Sequence, residues 1–124
     1  MIKLTIIGAG SAVFTKNIVT DLLSVDAFKK MEIALQDIDP VRLKASHELL
    51  NVIAEKLNAS PTITSHTDRK ESLLGSDFVQ TTIQVGGYKP STVIDFEIPN
   101  EYGLKQTIAD TLGIGGIMRG LRTI

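Results

Sequence analysis

The stretch that decides the fold is "IKLTIIGAGSAV", Ile2 to Val13. Residues 2–7 are mostly apolar and β-branched and stop at a glycine, the pattern of a buried strand. From Ala12 to Leu23, the apolar residues Val13, Ile18, Val19, Leu22 and Leu23 recur at helical spacing, with Lys16 and Asp21 on other faces. Between strand and helix stands Gly8-Ala9-Gly10-Ser11, so the chain opens as strand, glycine turn, helix.

Outward from this unit, the alternation continues. Residues 32–36 read as a second strand, and Asp39-Pro40 reads as a helix start, because aspartate caps free N–H groups and proline suits the first helical position. That helix is expected to run to about Asn58. Residues 61–66 give a third strand, 68–77 a short polar helix stopped by Gly75, and 78–85 a fourth strand ending at Gly86-Gly87. The next residues read as a loop, and residues 117–124 read as the start of a last helix. Strands alternating with helices predict an α/β protein with a Rossmann-like open, mainly parallel sheet. The expected strand order is 3-2-1-4, an incomplete version of a doubly wound sheet of about six strands. One domain over residues 1–124 is expected.

Composition bounds the partners. The chain has 124 residues, 43% of them hydrophobic, and a net charge of -1. That fits a globular domain and excludes the basic footprint of a nucleic-acid binder or of a protein held on an anionic membrane. A small molecule is the expected partner. There are no cysteines, hence no disulfides or thiolate metal sites in this chain. The amino terminus carries no signal-length apolar run, so a cytoplasmic protein is expected. His47 and His66 stand alone in the sequence, and no metal site is expected from the residues present.

The glycine turn suggests chemistry. Gly8 permits a tight bend, and Gly10 lets backbone approach a pyrophosphate resting on the amides of Ser11, Ala12 and the helix start. Val13 replaces the third glycine of G-x-G-x-x-G, and a glycine pair also serves ordinary strand-to-helix turns. Asp37 closes the second strand, somewhat beyond the ~20 residues typical of the acid that bonds the adenosine ribose. It would favour NAD over NADP; its other reading is a turn residue. Asp39 is assigned to the helix cap. Arg42 either lies over the adenine or pairs with Asp39. Gln84 is a further candidate cofactor contact. Gly86 and Gly87 would admit the nicotinamide half and the substrate, or form a plain loop turn.

Four segments together resemble a known family: "IIGAGSAVFTKNI" (6–18), "IALQDIDPVRL" (33–43), "DFVQTTIQVGGY" (77–88) and "GLKQTIADTLGIGGIMRGLRTI" (103–124). They resemble the NAD- and manganese-dependent glycosidases of glycoside hydrolase family 4, most closely its bacterial α-galactosidases. The resemblance implies oxidation of sugar C3 by NAD+, loss of the C2 proton to a tyrosine base, elimination of the glycosidic oxygen, addition of water and return of the hydride. It implies Mn2+ as Lewis acid in the full-length enzyme. It gives Asp110 the part of an acid beside the tyrosine base, or else a helix cap, and places it at the substrate with Gly86 and Gly87. Ser91 stands where relatives acting on 6-phosphorylated sugars carry arginine, which points to an unphosphorylated glycoside.

The family's base and metal ligands are expected beyond residue 124. The chain is therefore expected to be an inactive amino-terminal piece of a homo-oligomeric parent. A relative acting on α-glucosides or α-glucuronides, a standalone NAD-binding regulatory domain and an ordinary 2-hydroxy-acid dehydrogenase are the competing readings.

Overall fold

The computed structural model describes residues 1–105 and 113–123. They fall into two compact units, Met1–Ile83 and Gln84–Ile124.

The first unit carries the sheet. Strands β1 (Lys3–Ile7), β2 (Glu32–Gln36), β3 (Thr62–His66) and β4 (Phe78–Thr81) lie in the order β3-β2-β1-β4, all pairings parallel. Between them come helices α1 (Ala12–Leu23), α2 (Pro40–Lys56) and α3 (Arg69–Leu73), with a short 3-10 turn at Asp26–Phe28. The expected α/β class and strand order are those observed.

Register explains the layering. Leu4 stands opposite Ile33 and Ile6 opposite Leu35, so four apolar side chains share one face. There they meet Val19 and Leu23 of α1 and Leu43, Leu50 and Ala54 of α2 in one buried cluster. Ile6, Leu35 and Leu50 are fully buried, the non-directional burial that holds the helices on the sheet. The opposite face presents Thr5, whose Oγ1 donates to the Ser72 carbonyl at the end of α3, 2.8 Å away. A buried hydroxyl costs little when it is bonded in this way.

Helix α2 begins as the sequence predicts. The Asp39 carboxylate accepts from the N–H groups of Val41 (2.9 Å) and Arg42 (3.1 Å), and Pro40 takes the first helical position. Replacing Asp39 with alanine is expected to cost about 1 kcal/mol of stability, read as a lower denaturant midpoint at unchanged slope.

Two expectations need correction. The fourth strand, expected over residues 78–85, pairs only over Phe78–Thr81. Its partner β1 ends at Ile7 and bends away at Gly8, so beyond the bond from Thr82 N–H to the Ile7 carbonyl the ladder has nothing to continue on. The segment after it, expected as a loop, is helical: a π-helical turn, Tyr88–Val93, leads into α4 (Ile94–Glu101). Its signals are Asp95 and Glu97 in the first turn, favourable near the positive end of a helix dipole, and Ile94 and Ile98 four residues apart. The second unit is completed by α5 (Ile114–Thr123), which begins three residues ahead of the last helix expected over residues 117–124. Arg119 of α5 places its Nε 3.3 Å from the Asp95 carboxylate of α4, a pair almost removed from solvent.

Candidate functional site

The site is built at the carboxyl end of β1. Gly8 has φ +83, a conformation glycine adopts without the clash that any Cβ would cause. A Cβ there would fall onto the Thr82 carbonyl group, with its carbon 2.7 Å away and Ile83 Cγ2 at 3.2 Å. The turn is thus wedged against the segment leaving β4, and only glycine fits.

Backbone and side chains fix the bend from three sides. The N–H groups of Gly8 and Ala9 both donate to the Gln36 carbonyl of β2, at 2.8 and 2.9 Å. The Ala9 carbonyl accepts from Thr15 Oγ1 of α1 (3.0 Å) and Ser46 Oγ of α2 (2.8 Å). With these bonds made, the loop holds its shape before any ligand arrives.

No side chain claims the first amides of helix α1, but the two expected to meet the pyrophosphate are engaged within the turn itself. Ser11 N–H donates to the Gly8 carbonyl (3.1 Å) and Ala12 N–H to the Gly10 carbonyl (3.0 Å), so the open end of the helix is offered by the residues that follow. Ser11 makes no cap bond, and no acidic residue lies in the first turn. By contrast, Asp39 caps α2 and Asp68 caps α3. Of the three helix starts in this unit, the one that follows the glycine turn alone is left open to an external anion, with dipole and amides pointing at it.

Asp37 sits beside it, half-buried. Its Oδ2 accepts from Gly10 N–H at 2.7 Å and its Oδ1 from Asp39 N–H at 2.9 Å. Sequence spacing placed Asp37 at the strand end but not against Gly10, since the two are 27 residues apart. Each oxygen keeps a second lone pair for a hydroxyl. A Cβ on Gly10 would stand 2.6 Å from Asp37 Oδ2 and 2.9 Å from Arg42 Cβ, so Gly10, Asp37 and Arg42 converge on one corner. Arg42 Nε lies 3.6 Å from Asp39 Oδ2, the pairing that was one of its two readings; so exposed a pair contributes at most about 1 kcal/mol. Ser11 is half-buried and Ala12 exposed at the mouth of the turn.

The other candidates belong to the second unit. Gln84, Gly86 and Gly87 are exposed, and both glycines have positive φ, +86 and +72. A Cβ on Gly86 would collide with Ser91 Oγ, so the buried Ser91 side chain packs directly against that backbone. Asp110 lies outside the described residues. Among the described residues, no group of three or more His, Cys, Asp or Glu side chains is placed to hold a metal ion. His47 bonds Ser65 and His66 bonds Thr64 instead. Among the described residues no helix is long and apolar enough to cross a membrane.

A parallel sheet of order 3-2-1-4, with a glycine turn leading into an uncapped helix at the end of its inner strand, defines a Rossmann-like α/β protein. The profile of "Family 4 glycosyl hydrolase" matches residues 3–124, and the chain belongs to that family. It is 56% identical over all 124 residues to an α-galactosidase of Bacillus subtilis (strain 168), spanning 29% of that protein's length. Among solved structures it superposes with TM-score 0.81 on a 6-phospho-α-glucosidase from gut microorganisms in complex with NAD and glucose-6-phosphate. That match has 29% identity and covers 99% of this chain and 27% of the other. A 6-phospho-α-glucosidase from gut microorganisms in complex with NAD and Mn2+ gives TM-score 0.75 at 27% identity, covering 98% of this chain and 27% of that one.

Proposed function

We propose that the chain is the NAD-binding part of a family 4 α-galactosidase that cleaves unphosphorylated α-galactosides with NAD+ and Mn2+. The observation that carries this reading is the wedged glycine turn, with Gly10 clasped by Asp37 at the mouth of the uncapped α1. The residues fit the cofactor: Gly8 and Gly10 leave the space that a Cβ would fill, and the α1 amides meet a diphosphate. When bound, NAD+ supplies a hydride acceptor for the sugar.

This chain's own part is binding and orientation. Gly8 and Gly10 seat the pyrophosphate, the positive amino-terminal end of α1 offsets its charge, and Asp37 accepts from the ribose hydroxyls with its remaining lone pairs. Gln84, Gly86 and Gly87 extend the reading to the nicotinamide and sugar side, and Asp110 to the neighbourhood of the base. Ser91, short and buried against Gly86, stands where an arginine would serve a sugar phosphate, and the neighbouring Arg119, with Cδ 4.0 Å from the position of a Gly86 Cβ, is paired with Asp95, which supports the unphosphorylated substrate. Among the described residues no ligand set for Mn2+ is present, and the resemblance to the family places its ligands in the rest of the parent enzyme. The reading includes a cytoplasmic homo-oligomer, as the family resemblance implies.

The test uses the full-length polypeptide. An aryl α-galactoside should be cleaved only with both NAD+ and Mn2+, and its 6-phosphate poorly. Asp37→Ala should weaken NAD binding by about 1–3 kcal/mol. Cleavage that ignores NAD+ rejects the reading, and an unchanged NAD affinity in Asp37→Ala returns that carboxylate to a purely structural role.

A further inference from the structure

We propose that Arg42 is a latent subsite for a nucleotide 2′-phosphate, so that cofactor choice is set by Asp37 and Asp39 acting against Arg42 rather than by Asp37 alone. This rests on the dinucleotide reading of the glycine turn.

The geometry starts from the corner at Gly10. Arg42 Cβ and the Asp37 carboxylate both lie within 3 Å of the point where a Gly10 Cβ would stand, 2.9 Å and 2.6 Å away. A nucleoside whose 2′ oxygen is held by Asp37 therefore has the Arg42 side chain beside it. Asp37 is not free to turn aside, because Gly10 and Asp39 N–H groups hold its two oxygens. Its charge stays at the ribose position. The guanidinium is held far less: its side chain is 72% exposed, and its Nε is 3.6 Å from Asp39 Oδ2, outside hydrogen-bond distance. It can swing onto a phosphate at little cost.

The N–H groups of Val41 and Arg42 are engaged by Asp39. A phosphate at this corner thus has to be met by a side chain, and a planar guanidinium meets phosphate with two parallel bonds. Two fixed carboxylates against one mobile guanidinium leave the native corner anionic, which opposes a dianionic group. Removing one carboxylate reverses the balance.

The full-length polypeptide tests this by titration with NADH and NADPH, followed through the reduced nicotinamide fluorescence. Asp37→Ser should raise the NADPH-to-NADH affinity ratio by about tenfold or more, and adding Arg42→Ala should remove most of that gain. Arg42→Lys in the same background should keep part of it, since the charge remains and the fork does not. Arg42→Ala in the native background, a change at an exposed position, should lower the ratio without depending on how well Asp37→Ser folds. A ratio that Arg42→Ala leaves within about twofold in both backgrounds overturns the proposal while NADH binding to the native protein still supports the dinucleotide reading. No NADH binding by the native protein overturns both.

Discussion

Gly8→Ala should destabilise the chain by about 3 kcal/mol or more. Two costs add. Alanine at φ +83 sits in the left-handed region, which costs about 1–2 kcal/mol. Its Cβ would also overlap the Thr82 carbonyl, which is backbone and cannot rotate out of the way. Thr82 N–H is bonded to the Ile7 carbonyl at 2.8 Å, so moving that carbonyl means pulling β4 off β1. Gly75 separates the terms: its φ is +72, but a Cβ there would meet nothing within 4 Å. Gly75→Ala should cost only the backbone part, about 1 kcal/mol. Denaturant midpoints of the two variants measure the difference, and equal losses would mean that the β4 segment is free to move away from the turn.

The largest effect on binding is expected at the second glycine of the turn. Gly10→Val should weaken NAD binding by about 100-fold or more, roughly 2.7 kcal/mol. The valine Cβ would stand 2.6 Å from Asp37 Oδ2, so the carboxylate must leave its place and give up its bond to the Gly10 N–H. Arg42 Cβ, 2.9 Å away, is tied to α2 and yields less readily. The added methyl groups then occupy the approach that brings backbone amides to a pyrophosphate. Gly10 has no positive φ to lose, so stability should fall less than in Gly8→Ala, through crowding alone. Cofactor titration beside circular dichroism reads both quantities. Native-like NAD affinity in a folded Gly10→Val protein would move the diphosphate to another part of the molecule.

Much of the first unit was legible because its signals are local. The bounds Ala12–Leu23 and Glu32–Gln36 follow from side-chain period, the first also from the glycine turn ahead of it, and the start of α2 from Asp39-Pro40. Each of these is decided by residues within one turn or one strand, and such patterns survive in a bare sequence. The end of β4 was not legible. Residues 82–85 are as strand-like as the four before them, but a strand lasts only as long as its neighbour, and β1 stops at Gly8. Helix α4 was missed because Pro99 and the glycine pair outweigh its apolar spacing, while a partner 24 residues away in Arg119 helps to hold it.

The candidate site divides in the same way. The sequence by itself determined which residues had to be glycine or acid at the mouth of β1, because turn geometry and helix capping are properties of a few adjacent residues. Only the tertiary structure decided that Asp37 clasps Gly10, that Arg42 shares their corner and that Ser91 packs on Gly86. The first two of these depend on strands and helices brought side by side by the burial of Ile6, Leu35 and their neighbours, and hydrophobic packing of that kind leaves no mark in the spacing of the residues it joins.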